Sequence, residues 1–145
     1  MSSRTLPTSH DTLAALAAFL QAELTGLSIQ VHGAELPAGW QPSTTAKAVL
    51  ISPDGGDAGV NVPELSESFT LHSYGVTPSA ARAVDLAVFN VLHRPVASTA
   101  VVGASTYYVP FAQRTAGPIW NREPVTEWPR WTSTYTVVFS EYAAA

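Results

Sequence analysis

The stretch Gly117–Trp131, GPIWNREPVTEWPRW, sets three tryptophans and three prolines within fifteen residues. Pro118, Pro124 and Pro129 argue against a continuous helix or a central strand. Trp120, Trp128 and Trp131 are apolar groups too large for a free loop to display to water. On either side the pattern changes to a period of two. Thr106–Gln113 puts Tyr107, Val109 and Phe111 on one face, with Pro110 marking an edge or a bulge. Trp131–Ser140 does the same with Trp131, Tyr135, Val137 and Phe139. The chain therefore ends in a β-hairpin whose strands are joined by residues 114–130. A link of that length is functional or disordered, and its tryptophans argue against disorder. It reads as a stiffened aromatic arm.

Working outward, Thr77-Pro78 opens a helix with an N-cap and a proline in the first turn. Its apolar face is Ala81, Val84, Val88, Val91 and Leu92, and Pro95 forbids continuation past His93 and Arg94. An earlier helix runs from a T-x-x-D capping box at Thr8–Asp11 to a stop at Gly26, with Leu13, Leu16, Ala17, Leu20 and Leu24 on one face. Phe19 falls off that stripe, so this helix is either buried on two sides, the second against another subunit, or an alanine-rich core helix without a partner. Strands are expected where Leu27, Ile29 and Val31 alternate with polar residues, over Ala46–Ser52, and where Leu65, Phe69 and Leu71 alternate with Ser66, Ser68, Thr70 and His72. Pro53-Asp54-Gly55-Gly56 should break the chain between the last two. The order α-β-β-β-α-β-β predicts one α+β domain over residues 1–145, with a mainly antiparallel sheet, two helices packed on it and a long C-terminal hairpin arm.

Composition narrows the function. Apolar residues make up 46% and charged residues only 12% of the chain, about half the usual charged share. So thin a charged coat favours an assembled state. The net charge is −4 and the seven basic residues stand singly, which disfavours phosphate-driven binding of nucleic acid. Cysteine is absent, excluding thiol chemistry and disulfides. Leu13–Leu20 is too short an apolar run to span a bilayer, and with only Arg4 before it no signal peptide is expected; a cytosolic site of synthesis follows.

Catalytic signatures are missing. His10, His32, His72 and His93 are isolated, without the spacing of a zinc site. There is no nucleophile elbow and no phosphate-binding glycine loop. Asp54-Gly55-Gly56-Asp57 lacks the spacing of a calcium loop and reads as a turn. Glu64 with Glu67, and Glu123 with Glu127, are expected to be solvated charges. No cofactor or metal is implied. The arm differs in kind, because tryptophan and arginine dominate binding hot spots. Trp120, Arg122, Trp128 and Arg130 are the expected partner-binding residues, with Phe19, Trp120 and Trp128 at a subunit interface. Trp131, at a strand start, is expected to fold back on its own sheet.

The segment AVLISPDGGDAGVNVPELSESFTLHSYGVTPSAARAVDLAVFNVL, Ala48–Leu92, runs strand, Pro-x-Gly-Gly turn, strand ending in Tyr74-Gly75, then a small-residue helix. With the leading helix and closing hairpin it resembles the tail terminator, or tail completion, proteins of long-tailed bacteriophages over roughly residues 10–142. The resemblance implies a non-enzymatic virion protein at the head–tail junction. Its homo-hexameric ring would cap the tail tube protein, end tail polymerisation and present a surface to the head connector. DNA would only pass through the channel. The competing readings are another neck component (a head-completion or stopper protein), a small enzyme, and a host-derived binding module.

Overall fold

In a computed structural model, residues 9–58, 64–93, 98–102 and 105–142 are described. Among them the chain forms α1 (Ser9–Leu24), a 3-10 turn (Thr25–Leu27), β1 (Ile29–Gly33), β2 (Lys47–Ala58), β3 (Glu64–Tyr74), α2 (Pro78–Leu92), β4 (Ser98–Val102), β5 (Ser105–Arg122) and β6 (Pro129–Tyr142). The expected α+β class holds. The strands make one sheet in the order β1-β2-β3-β6-β5-β4. Every neighbouring pair is antiparallel except β1 with β2. That parallel pair needs a crossover, which residues 34–46 supply.

α2 forms for the reasons its sequence states. Thr77 caps it by accepting from the Ala80 N–H at 3.1 Å, and Ala81, Val84, Val88, Val91 and Leu92 are all buried. α1 places Ala15, Leu16, Phe19, Leu20 and Leu24 in the same core, against Ile29, Val31, Val49, Ile51, Phe69, Leu71, Tyr135 and Val137. Burial of each large aliphatic side chain contributes roughly 1.5–3 kcal/mol relative to exposure. α2 crosses the middle of the sheet, whereas α1 touches β1, β2 and also β4, the strand at the opposite edge. The sheet thus coils until both of its terminal strands reach one helix.

This arrangement corrects the expectation for Phe19. It is 5% exposed, inside the chain's own core, because α1 is walled on more than one side by its own subunit. It offers nothing to a second copy. Leu27, expected in a strand, lies in the 3-10 turn and is exposed. The capping box begins at Thr8, outside the described residues, and the side chains of Tyr107, Val109 and Phe111 lie outside them too.

Two further expectations fail. Pro53-Asp54-Gly55-Gly56 is no turn: β2 runs through it, and a register shift between Pro53 and Gly55 absorbs the irregularity as a bulge. The same segment served as a turn in the family resemblance. Glu67 is not a solvated charge either. It is 1% exposed, and its carboxylate has no hydrogen-bond partner among the described residues. The reason is parity: Glu67 shares the core face of β3 with Phe69 and Leu71.

The edge of β1 is partly covered by a side chain. Gln21 of α1 donates from Nε2 to the Ile29 carbonyl at 3.1 Å, and its Oε1 accepts from the Val31 N–H at 2.9 Å. One amide thereby satisfies two of the outward backbone groups that a further strand would otherwise take.

Candidate functional site at the end of the hairpin

The arm is mostly strand. β5 continues to Arg122 and β6 starts at Pro129, so the expected connection of residues 114–130 shrinks to residues 123–128. The prolines are tolerated for local reasons. β4 pairs only with Ser105–Val109, so among the described residues β5 beyond that point has a strand, β6, on one side alone. A proline on an edge sacrifices no ladder bond. Pro118 follows a cis peptide bond from Gly117 and falls within the register shift between Ala116 and Ile119. Gly117 has φ +90°, and a Cβ there would stand 2.6 Å from the Thr132 carbonyl oxygen. Pro129 opens its strand, and Pro124 lies in the connection.

The connection holds itself together. The Glu123 carboxylate accepts from the Val125 N–H at 2.9 Å, from the Thr126 hydroxyl at 2.6 Å, and from the Thr126 N–H. The Thr126 hydroxyl bond, ahead of the backbone bonds, holds the Glu123 carboxyl below its ordinary range. The Glu123 N–H donates to the Trp128 carbonyl at 3.0 Å and the Glu127 N–H to the Glu123 carbonyl at 2.8 Å. Glu123 is thus a turn-forming group.

Aromatic side chains occupy both faces of this end. Strand alternation places Tyr74 on the face away from the helices, and there Trp40, Tyr74 and Trp128 meet edge to face. Their ring centroids are 5.4 Å apart for Trp40–Trp128, 6.1 Å for Tyr74–Trp128 and 6.2 Å for Trp40–Tyr74. Arg130 ties the group down, donating from Nε to Asn121 Oδ1 at 2.9 Å and from Nη1 to the Tyr74 hydroxyl at 3.4 Å. Trp40 comes from the β1–β2 crossover, so this cluster joins three distant parts of the chain.

The helix-side face carries a different array. Trp120 pairs across the hairpin with Trp131, ring centroids 5.7 Å apart. The Trp131 indole donates to the Pro78 carbonyl at 3.1 Å, holding the hairpin to the start of α2. Arg82 lies over Trp131 at 5.0 Å and Arg122 over Trp120 at 5.7 Å. Arg82 is held by the buried Asp85 at 2.6 Å, which also accepts from the Ser133 hydroxyl at 2.9 Å. Burial first, then the Asp85 charge, pushes the neighbouring Tyr135 hydroxyl up to about 12. The outer ring of this array stays in water, Trp120 being 38% exposed; Ile119, on the other face across from Thr132, is 57% exposed and Val125, in the connection, 88%.

The structure therefore divides the predicted site residues. Trp120 and Arg122 form an accessible pair, with Arg122 also donating to the Glu127 carbonyl at 3.0 Å. Trp128 and Arg130 are engaged within their own chain. Trp131 folds back on its subunit as expected. Trp40 and Arg82 escaped sequence reasoning, because their partners are distant in the chain; a lone tryptophan in a polar link was the only signal for Trp40.

The histidines stay apart. His72 Nδ1 lies 3.0 Å from the Thr132 hydroxyl, and burial, with Arg130 adding to it, pushes its imidazole down to about 4. His93 stacks on Phe89 at 4.1 Å and accepts from the Arg114 N–H at 3.3 Å. Among the described residues no three His, Cys, Asp or Glu side chains gather as metal ligands, and no helix is long and apolar enough to cross a membrane. No protein-family model and no curated protein matches the chain.

Proposed function

We propose that the chain is a tail terminator of a long-tailed bacteriophage. It assembles into a hexameric ring that caps the tail tube, ends its growth and offers the head connector a docking surface. One observation carries the reading most directly. The hairpin ends in exposed Ile119, Trp120 and Val125, and Trp120 on the helix side is backed by the Trp40–Tyr74–Trp128 cluster on the other face. A preorganised aromatic and arginine surface loses little entropy on docking and suits a protein contact. Low charge and a net charge of −4 fit a ring through which DNA slides without sticking.

Electron microscopy of particles assembled without the protein tests this. Overlong tails, restored to length by the intact chain, are the expected outcome. Tails of normal length that lack heads would assign it to the connector side of the neck, and unaltered particles would remove it from tail assembly.

A further inference from the structure

Two strands of the sheet run past their outer neighbours. β1 pairs with β2 only over Lys47–Ile51, so Ser52–Ala58 has β3 on one side and no strand on the other among the described residues. β4 pairs with β5 only over Ser105–Val109, and His93 takes the Arg114 N–H. From Thr115 to Arg122 the outer side of β5 likewise has no strand among the described residues. Of the remaining edges, β1 has two of its outward groups taken by Gln21, and α1 lies against β4.

The overhangs sit at diagonally opposite corners. Asn121 is level, through Arg130 and Tyr74, with Ala48 at the start of β2. Ala58 is level, through Leu65, with Phe139, next to the Ser140 that faces Tyr108 near the start of β5. Their charges are opposite. SPDGGDA (Ser52–Ala58) has two acids and no base, and TAGPIWNR (Thr115–Arg122) has one base and no acid. Three antiparallel steps separate β2 from β5, so the two strands run in opposite directions.

We infer that the β5 overhang of one copy pairs antiparallel with the β2 overhang of a second copy, carrying the sheet from subunit to subunit. The inference rests on the ring reading above. Two copies set side by side in the same orientation bring these edges together in the more stable of the two strand pairings. The contact joins unlike patches, as a closed ring requires. Acid against acid, or base against base, disfavours either edge pairing with its own kind. Pro53 and Pro118 confine the ladder to short runs on each side, and the exposed Ile119 and Trp120 add side-chain contact. Because the corners are diagonal, each copy is displaced along the strand direction from the last. Such a stagger tilts strands around a closed barrel.

The chain has no cysteine, so introduced pairs report without background. With the two overhangs laid end to end, Ala58 comes opposite Ala116 and Ser52 opposite Arg122, so Ala58→Cys and Ala116→Cys, prepared separately and mixed under mild oxidation, should give a mixed dimer, with neither alone giving more than a trace. The double variant should give a ladder. Ser52→Cys with Arg122→Cys replaces that pair if either variant fails to fold. In parallel, Arg122→Asp should weaken self-association at least tenfold by sedimentation, and adding Asp54→Arg, two positions from the Ser52 that faces Arg122, should restore most of it. Absence of the mixed dimer, equal cross-linking of either variant with itself, or association unchanged by Arg122→Asp would overturn the inference. Tubes capped normally without the mixed cross-link would defeat this contact and leave the proposed function standing. The mixed cross-link in a protein that leaves tails unaltered would do the reverse.

Discussion

The two aromatic groups on the hairpin end stand back to back, and they differ in what they touch. On the face away from the helices, Trp128 meets Trp40 and Tyr74, and Tyr74 is buried. On the helix face, Trp131 is tied to α2 through the Pro78 carbonyl, while Trp120 outside it keeps 38% of its surface in water. Similar residues a few positions apart thus serve opposite ends. One tryptophan fastens the arm to the body of the subunit, and the other is held out by that fastening. Abundance of tryptophan in a segment says that surface must be covered somewhere. Only the topology says which ring is covered by its own chain.

The sharpest way to break this contrast is Trp128→Ala. Removing the central ring of the three-ring group should lower folding stability by about 2–4 kcal/mol, somewhat under a fully buried site, measured by thermal or urea unfolding. Trp120→Ala should do the converse. Folding should change by less than about 1 kcal/mol, while association weakens by roughly 2 kcal/mol or more if this ring anchors a contact. Unfolding and sedimentation of the same samples separate the two. Equal loss of stability in both variants would erase the distinction.

Acid should act on the outer face first. The His72 pKa is about 4 when folded against 6.5 as the ordinary value, so below pH 6.5 the unfolded chain binds the proton more readily. Stability should be full above that pH and fall as the pH drops toward 4. With His72 partly exposed the loss is discounted to about 1 kcal/mol. His72→Gln should flatten the melting temperature across that window. The smallest effect is expected from Glu123. Its folded pKa is depressed, so its contribution is present above the ordinary carboxyl range and lost as the pH falls through the folded value. Glu123→Gln should lower the melting temperature slightly at neutral pH and leave it unchanged in strong acid.

Legibility followed the range of the forces involved. α2 was readable in full, since an N-cap, a proline at the first turn and an apolar stripe are local signals that act within the helix itself. Strand faces were readable by parity, yet parity also put Glu67 inside, where composition had placed it in water. The arm misled because Pro118 and Pro129 were weighed as if every strand position needed a donor. At an edge and at a strand start none is lost. The second wall around Phe19 was invisible for a related reason: β4, which also touches α1, was not foreseen as a strand. At the candidate site, Trp120 and Arg122 were singled out from the sequence alone, and the structure sets them side by side. The cluster that supports them depends on Trp40 and Tyr74, far from the arm in the chain, and no local pattern encodes that meeting.

The amide of Gln21 has a kinetic consequence. In an ordinary edge strand the outward N–H groups exchange with deuterium almost as fast as those of a loop. Val31 is an edge residue whose N–H is held by one side chain reaching from α1. Its exchange therefore requires α1 to loosen from β1, or the Gln21 rotamer to turn away. The protection of that single amide becomes a clock for the opening of the first helix, slow while α1 is seated and fast once it lifts.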